Sequence, residues 1–189
     1  EEKATHFYEV EDEDELAILV LKNFDEEELQ ICYRSKNKIQ PYRLYLKIKA
    51  VLPIKFEMES GKIQMNMRDE IIESVDCIVI RPLESHHEVK QIVMQWANEL
   101  ENSRDQEKVV QSIHDLIVKR THYGMEKDTA FQATGVFKDN EAVCEGYSLA
   151  FNNLASSMHI PSFMISSNTI NHAWNMVYIN GEWLFVDCT

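Results

Sequence analysis

One cysteine lies at a position where thiol chemistry is possible. Cys144 falls where a loop is predicted to become a helix, directly ahead of Glu145 and Gly146. A thiol there lies at the positive end of the helix dipole and near unpaired N–H groups, which favour the thiolate and can also bind an oxyanion. Taken alone, a structural role for Cys144 is still the simpler interpretation. The other cysteines lie in predicted strands, where the thiol is usually a small buried apolar group: Cys32, Cys77 and Cys188.

A predicted hairpin supplies two partner groups for this thiol. Asn180-Gly181 between two alternating apolar runs is a strong signal for a two-residue turn. With that register His172 and Asp187 become diagonal neighbours on one sheet face, roughly 7 Å apart at the backbone. A carboxylate bonded to one imidazole nitrogen fixes the tautomer and leaves the other nitrogen for a thiol. As alternatives, His172 could be a hydrogen-bonded histidine on a sheet face, and Asp187 a strand-end carboxylate that accepts from a backbone N–H. The placement of all three residues together favours a Cys144–His172–Asp187 triad.

Four more residues are candidates for substrate contact: Trp174, Tyr123, Glu145 and Tyr147. Trp174 is expected either to shield the His–Asp pair from water or to form the wall of an acyl-binding groove. Tyr123 is expected to line the site, with a packed aromatic residue as the alternative. Glu145 is also explained as an acid favoured by the helix dipole. His86-His87 has no third ligand in view, so no metal site is predicted.

Helices and strands that could position these residues follow from periodicity. Capping-box patterns at Ser85 and Ser103 each precede apolar residues at helical spacing, and a third helix is predicted from Cys144 to Met158. Alternation then predicts three strands: 162–166, 172–179 and 182–187.

The first part of the chain shows a period of two instead. The predicted strands include Leu16–Leu21, Tyr42–Ala50, 53–59, 62–67 and 76–81, with a turn at Ser60-Gly61 between two of them. The sequence therefore predicts an α+β protein with a β-rich N-terminal extension, residues 1–82, and a catalytic core, residues 83–189.

Composition excludes several classes of function. The chain has 189 residues and a net charge of −13, which repels phosphate backbones and anionic lipid, so nucleic acid is not an expected partner. The longest apolar run, Leu16–Leu21, is far shorter than the roughly 20 residues of a membrane span. Four cysteines without a CxxC pair predict neither a zinc ribbon nor a disulfide scaffold.

Three blocks of the second part resemble the transglutaminase-like core, a branch of the papain-like cysteine protease clan. That family typically has V-C-x-G-Y-A, then H-A-W-N-x-V, then G-x-W-x-x-V-D-x-T. The matching segments are AVCEGYSLAFNNLA at 142–155 and NHAWNMVYINGEWLFVDCT at 171–189, preceded by the helix IHDLIVKRTHYG at 113–124. Ser148 replaces a frequent Ala, and the resemblance covers about residues 105 to 189.

The resemblance implies a papain-like fold in which a cysteine-bearing helix packs on an antiparallel sheet bearing the histidine and the aspartate. It implies Cys144 as the nucleophile, His172 as the general base and acid, and Asp187 as the orienting carboxylate. The expected activity is thiol-dependent acyl transfer on a peptide or carboxamide carbonyl, completed by water or by an amine. A protein or peptide substrate is the expected partner, and no metal or cofactor is implied.

Other outcomes stay open at this stage. The scaffold could instead serve as a non-catalytic module that binds a protein or the cell envelope. Family members usually continue beyond the position at which this chain stops, Thr189. An incomplete sheet around Asp187 and an enzyme that is inactive for this reason are therefore open alternatives. The first residue is Glu1 rather than Met, and members of the family are often secreted or associated with the cell envelope, so such a location is expected. The oligomeric state does not follow from the sequence.

Overall fold

The computed structural model describes residues 7–25, 27–67 and 70–189. The chain forms two compact units, one from residues 1–48 and 56–83 and the other from residues 49–55 and 84–189. The segment Lys49–Lys55 thus belongs to the second unit although residues of the first unit flank it on both sides. The predicted domain boundary at residues 82 and 83 stays a prediction.

The first unit contains a four-stranded mixed sheet. Its strands are β1 (Tyr8–Val10), β2 (Leu29–Ser35), β3 (Phe56–Met67) and β4 (Glu70–Pro82), in the order β1-β2-β4-β3. β1 is parallel to β2, and the other two pairings are antiparallel. The first unit also contains α1 (Glu13–Asn23) and most of α2 (Pro41–Val51), whose last three residues belong to the second unit.

The strand predicted at Leu16–Leu21 is wrong, because these residues lie in α1. The Asp12 carboxylate accepts hydrogen bonds from the N–H groups of Asp14 and Glu15, at 3.0 and 3.1 Å, and so caps the helix. Leu16 and Val20, four residues apart, are both fully buried. A continuous apolar run fits a buried helix face as well as a strand, and here the N-cap decides between them.

The strand predicted at Tyr42–Ala50 is also wrong, since this segment forms α2. Leu44 and Ile48 are fully buried, whereas Tyr42 and Leu46 are 64% and 39% exposed. Alternating apolar residues place every second side chain on one strand face, but they also place pairs four residues apart on one helix face. Pro41 at the first helical position favours the helix because its φ angle is already helical.

The turn predicted at Ser60-Gly61 is absent from the structure, because β3 runs through both residues. Ser60 pairs with Ile78 and Gly61 with Cys77, all along the same partner strand. Cys77 also lies directly opposite Cys32 of β2, and the two buried thiols form a disulfide. The expected burial of these cysteines is confirmed, but their pairing was not predicted.

The second unit contains three helices, a short parallel strand pair and an antiparallel sheet. Its elements are α3 (His86–Ala97), α4 (Gln106–Arg120), β5 (His122–Tyr123), a π-helical turn (Gly135–Asp139), β6 (Glu141–Ala142), α5 (Cys144–Ser157), β7 (Ser162–Ser167), β8 (His172–Ile179) and β9 (Glu182–Val186). The three helices predicted for this part of the chain are confirmed as α3, α4 and α5, and the three predicted strands are confirmed as β7, β8 and β9. The cap of α4 is Asp105 rather than Ser103, and Ser85 makes no side-chain cap hydrogen bond.

The hairpin between β8 and β9 has the predicted register. Ile179 pairs with Glu182, and Asn175 with Val186. Asn180 and Gly181 have φ angles of 53° and 87°, the positive values that a tight hairpin turn requires. Because this register is confirmed, His172 and Asp187 lie on the same face of the sheet.

The sheet packs on α5 through a buried polar contact. Asn175 of β8 is 1% exposed, and its amide donates to the Ser148 carbonyl at 3.0 Å and to Asn152 Oδ1 at 2.9 Å. Ser162 of β7 donates to the same Asn152 oxygen at 2.9 Å. These bonds set the helix that begins at Cys144 against the strand that begins at His172. In the ranges described above, no helix is long and apolar enough to cross a membrane.

The helical assignment of α2 can be tested with two leucines. Leu44→Ala removes a fully buried side chain and is expected to cost about 2–5 kcal/mol of unfolding free energy. Leu46→Ala removes a partly exposed side chain and is expected to cost less than about 1 kcal/mol. Denaturant unfolding of both variants measures the difference, and equal losses would favour the strand.

Candidate active site

Cys144 is the first residue of α5 and is partly exposed. The preceding residue, Val143, is extended, and its N–H donates to the Ala130 carbonyl at 3.0 Å. This bond fixes the direction in which the chain enters the helix. The thiol therefore lies at the end of α5 where backbone N–H groups have no helical partner.

Gly146 allows a loop to approach this helix end closely. A Cβ atom on Gly146 would lie 2.5 Å from the Ala130 carbonyl oxygen and 2.9 Å from that of Gln132. Both are backbone atoms, so a side chain at this position requires the loop or the helix to move. The glycine is needed here for close packing rather than for an unusual backbone angle.

His172 and Asp187 are joined by a hydrogen bond. His172 Nε2 lies 2.8 Å from Asp187 Oδ2, and their side chains are 27% and 46% exposed. The other carboxylate oxygen, Oδ1, accepts from the Thr189 hydroxyl at 2.6 Å and from its N–H at 3.0 Å. Each oxygen of the Asp187 carboxylate thus has its own partner. The bond to Asp187 uses Nε2 of His172, so Nδ1 of the same ring is available for another hydrogen bond.

These contacts determine the charge on the carboxylate. Partial burial by itself raises the pKa of Asp187, but the hydrogen bonds from Thr189 and His172 outweigh it and lower the pKa below its ordinary value. The carboxylate is therefore ionised at neutral pH and can stabilise a protonated imidazole.

Two of the predicted substrate-contact residues lie beside residues of the predicted triad. The Trp174 ring stacks on the His172 ring, with centroids 5.8 Å apart and planes 20° apart. Tyr123 of β5 is 61% exposed and lies close enough to Cys144 for the thiol to affect its pKa. Partial burial, together with the nearby thiol, raises the pKa of Tyr123, so its hydroxyl keeps its proton at neutral pH.

The other two predicted substrate-contact residues, Glu145 and Tyr147, contact other parts of the protein. The Glu145 carboxylate is ion-paired with Lys49, at 3.2 Å, and with Lys55. Tyr147 is 4% exposed, belongs to the hydrophobic core and stacks on Tyr123 at 6.3 Å. For both residues a role in substrate binding stays a prediction, since the observed contacts are with the protein itself.

A buried carboxylate also orders the loop near β5. Glu141 is 4% exposed and accepts hydrogen bonds from the N–H groups of Glu126 and Lys127. Burial raises the pKa of Glu141, but these bonds and the neighbouring His122 lower it by more, so the net shift is downward.

Sequence patterns did not identify several of the residues that support the site. Thr189 lies two positions after Asp187, a spacing at which a hydroxyl commonly bonds a carboxylate, and that signal was available. Lys49 and Lys55 are 96 and 90 residues away from Glu145, and no local pattern joins them.

The remaining cysteines are distinguished from Cys144 by burial or pairing. Burial, with Asp187 nearby, raises the pKa of the Cys188 thiol to about 12, so it is protonated at neutral pH. Cys32 and Cys77 are joined in a disulfide. Across the described ranges, no group of three His, Cys, Asp or Glu residues could hold a metal ion.

Comparison with known proteins agrees with this architecture. The model of the transglutaminase-like superfamily matches residues 94–188. A crystal structure described as a TGase superposes with a TM-score of 0.50 at 12% identity, over 97% of this chain and 59% of that one. This likeness shows a shared α+β fold.

Two further structures are similar at lower scores. One is described as a putative cysteine protease from Cytophaga hutchinsonii, with a TM-score of 0.43, 12% identity and coverage of 71% of this chain and 65% of that one. The other is the periplasmic domain of TgpA from Pseudomonas aeruginosa, with a TM-score of 0.40, 11% identity and coverage of 69% and 62%. The chain thus spans about three-fifths of the length of these structures. No curated protein matches it.

Gly146 and Gly61 form a matched pair for testing the close packing at Cys144. Gly146→Ala is expected to cost about 1–3 kcal/mol because the added methyl meets backbone atoms. Gly61→Ala meets nothing within 4 Å and is expected to be neutral or stabilising. Thermal unfolding measures both variants, and an unchanged midpoint for Gly146→Ala would contradict the packing.

Proposed function

Because this chain belongs to the transglutaminase-like superfamily, we propose that it catalyses acyl transfer through a thioester on Cys144. The observation that supports this most directly is the His172–Asp187 hydrogen bond. That bond uses Nε2 and leaves Nδ1 of the same ring to accept the thiol proton. Cys144 at the start of α5 is the nucleophile in this proposal.

The proposed first half-reaction begins with proton transfer from Cys144 to His172 Nδ1. The thiolate attacks the carbonyl carbon of a peptide or carboxamide, so a C–S bond forms and the carbonyl π electrons move to oxygen. As the tetrahedral intermediate collapses, the C–N bond breaks and His172 gives its proton to the departing amine or ammonia. Asp187 stabilises the imidazolium between these two transfers.

In the second half-reaction another nucleophile attacks the thioester and Cys144 leaves as the thiolate. Water gives a carboxylic acid, the outcome of a protease or amidase, and an amine gives a new amide, the outcome of a cross-linking enzyme. His172 accepts the proton of the incoming nucleophile in either case. The proposal covers both outcomes, and a protein or peptide is the proposed acyl donor.

The oxyanion is proposed to be bound at the start of α5. Backbone N–H groups there lack helical partners, and the Tyr123 hydroxyl lies near Cys144. A hydroxyl that keeps its proton at neutral pH can donate to the negatively charged oxygen. Trp174 is proposed to cover one side of the His172 ring and to keep water from the His–Asp pair.

The alkylation rate of Cys144 with iodoacetamide, followed against pH, tests the proposal. An ordinary thiol titrates near about 8.5, whereas a His-paired thiol at a helix start reacts well below neutral pH. We expect fast labelling at about pH 6 in the parent protein and labelling at least about tenfold slower in His172→Ala. Cys144→Ala reports any background from other groups.

An ordinary thiol profile in both proteins would contradict the proposed function. In that case a non-catalytic binding module on the same scaffold becomes the better explanation of the fold.

The orienting role of Asp187 predicts the behaviour of Asp187→Asn. This change keeps the shape of the side chain but permits the wrong imidazole tautomer, so acylation by p-nitrophenyl acetate is expected to slow by about 10²–10⁴-fold. An unchanged acylation rate would remove Asp187 from the mechanism.

The same variant predicts a change in stability with pH. Because the pKa of Asp187 is lowered in the folded protein, its stabilisation is present above the ordinary value of 3.8 and is lost as the pH falls below it. Unfolding midpoints should therefore differ between parent and variant at neutral pH and converge in acid.

Tyr123→Phe tests the proposed oxyanion donor. Loss of one exposed donor is expected to lower the acylation rate by about 10- to 100-fold with little change in KM. Tyr178→Phe is the control, because that hydroxyl belongs to an exposed residue of β8. Equal rates in the two variants would exclude a role for the Tyr123 hydroxyl.

A further inference from the structure

The residue that follows the proposed nucleophile in the chain, Glu145, has an ion-paired carboxylate. Glu145 Oε2 lies 3.2 Å from Lys49 Nζ, and its Oε1 is paired with Lys55 Nζ. The three side chains are only 16%, 19% and 24% exposed for Glu145, Lys49 and Lys55 respectively. Such pairs are screened by solvent much less than pairs on the surface.

The segment that contains both lysines, Lys49–Lys55, is held at two other points. The Asn153 amide of α5 donates to the Pro53 carbonyl at 2.7 Å. The N–H of Lys55 donates to Glu84 Oε1 at 3.2 Å. Glu84 itself is 7% exposed, and its second oxygen accepts from the N–H and the hydroxyl of Thr134 at 3.1 and 2.6 Å. The two ammonium groups are therefore placed by backbone anchors as well as by Glu145.

The sign of the charge beside Cys144 matters for a thiolate. A lone carboxylate on the next residue opposes the negative charge that the thiol gains on ionisation. Pairing with the ammonium groups of Lys49 and Lys55 offsets that negative charge. The paired carboxylate then no longer opposes the dipole of α5, which favours a thiolate.

Several ionisable groups of β5, β6 and the sheet have partners other than Glu145. Tyr123 of β5 keeps its proton, and the Glu141 carboxylate of β6 accepts two backbone N–H groups and faces His122. On the sheet, His172 is hydrogen-bonded to Asp187. Removal of the two lysines would therefore leave the Glu145 charge unpaired.

We propose that Lys49 and Lys55 are positioning residues that neutralise Glu145 and so permit Cys144 to react as a thiolate. This inference rests on the proposed function and assigns to the Lys49–Lys55 segment a part in nucleophile reactivity. A purely structural role for the same ion pairs would anchor the segment without changing the pH dependence of the thiol.

Alkylation by iodoacetamide in the full chain separates these two roles. Lys49→Met/Lys55→Met is expected to label on the order of threefold to tenfold more slowly at about pH 6, with the difference vanishing where the thiol is fully ionised. Glu145→Gln removes the negative charge that opposes the thiolate and is expected to label faster than the parent. Lys138→Met, which removes an ion pair with Glu88, is the matched control and should match the parent.

The decisive variant combines all three changes, Lys49→Met, Lys55→Met and Glu145→Gln. If the lysines act by charge, removal of Glu145 restores labelling to within about twofold of the parent. Labelling as slow as in the double lysine variant would show that the lysines only hold the segment, and would overturn the inference. A double lysine variant that labels like the parent would overturn it equally.

Failure of the proposed function gives a different pattern. In that case the parent itself labels slowly at about pH 6 and His172→Ala labels no more slowly than the parent. Thermal unfolding of each variant confirms that the labelled protein is folded.

Discussion

The register of the β8–β9 hairpin is the constraint on which the site depends. Successive strand side chains point to opposite faces, so a slip of one residue would carry Asp187 to the face opposite His172. Asn180 and Gly181 prevent such a slip because both have the positive φ angles of a two-residue turn. The His172–Asp187 bond of 2.8 Å is a direct consequence of this local chemistry. Thr189 then holds the second carboxylate oxygen, so the orientation of Asp187 is determined on both sides.

The helix that begins at Cys144 is related to this sheet by buried polar contacts rather than by apolar packing alone. Asn175 lies between His172 and the turn, and its amide reaches the Ser148 carbonyl and Asn152 of α5. An unpaired amide in this place would cost about 1–3 kcal/mol, which makes other helix positions unfavourable. Gly146 permits close contact between the helix start and the backbone of Ala130 and Gln132. The same few contacts thus set the positions of both the thiol and the imidazole.

The features predicted correctly from the sequence are those with local causes. The helix at Cys144 and the Asn180-Gly181 hairpin are encoded by neighbouring residues, and the structure contains both. The apolar residues of Leu16–Leu21 and Tyr42–Ala50 fit a strand period as well as a helical one, and only the Asp12 cap and Pro41 distinguish α1 and α2 from strands. The pairing of Glu145 with lysines about 90 residues earlier depends on tertiary folding, for which a single sequence has no pattern.

The most direct test of the account is chemical identification of the acyl-enzyme. The full chain is treated briefly with p-nitrophenyl acetate at about pH 6, where lysine amines are protonated and react slowly, and the acetyl group is located by peptide mass spectrometry. We expect a hydroxylamine-labile acetyl thioester on Cys144 that forms far more slowly in His172→Ala. An acetyl group on lysines alone, or equal acetylation of Cys144 in both proteins, would contradict the account.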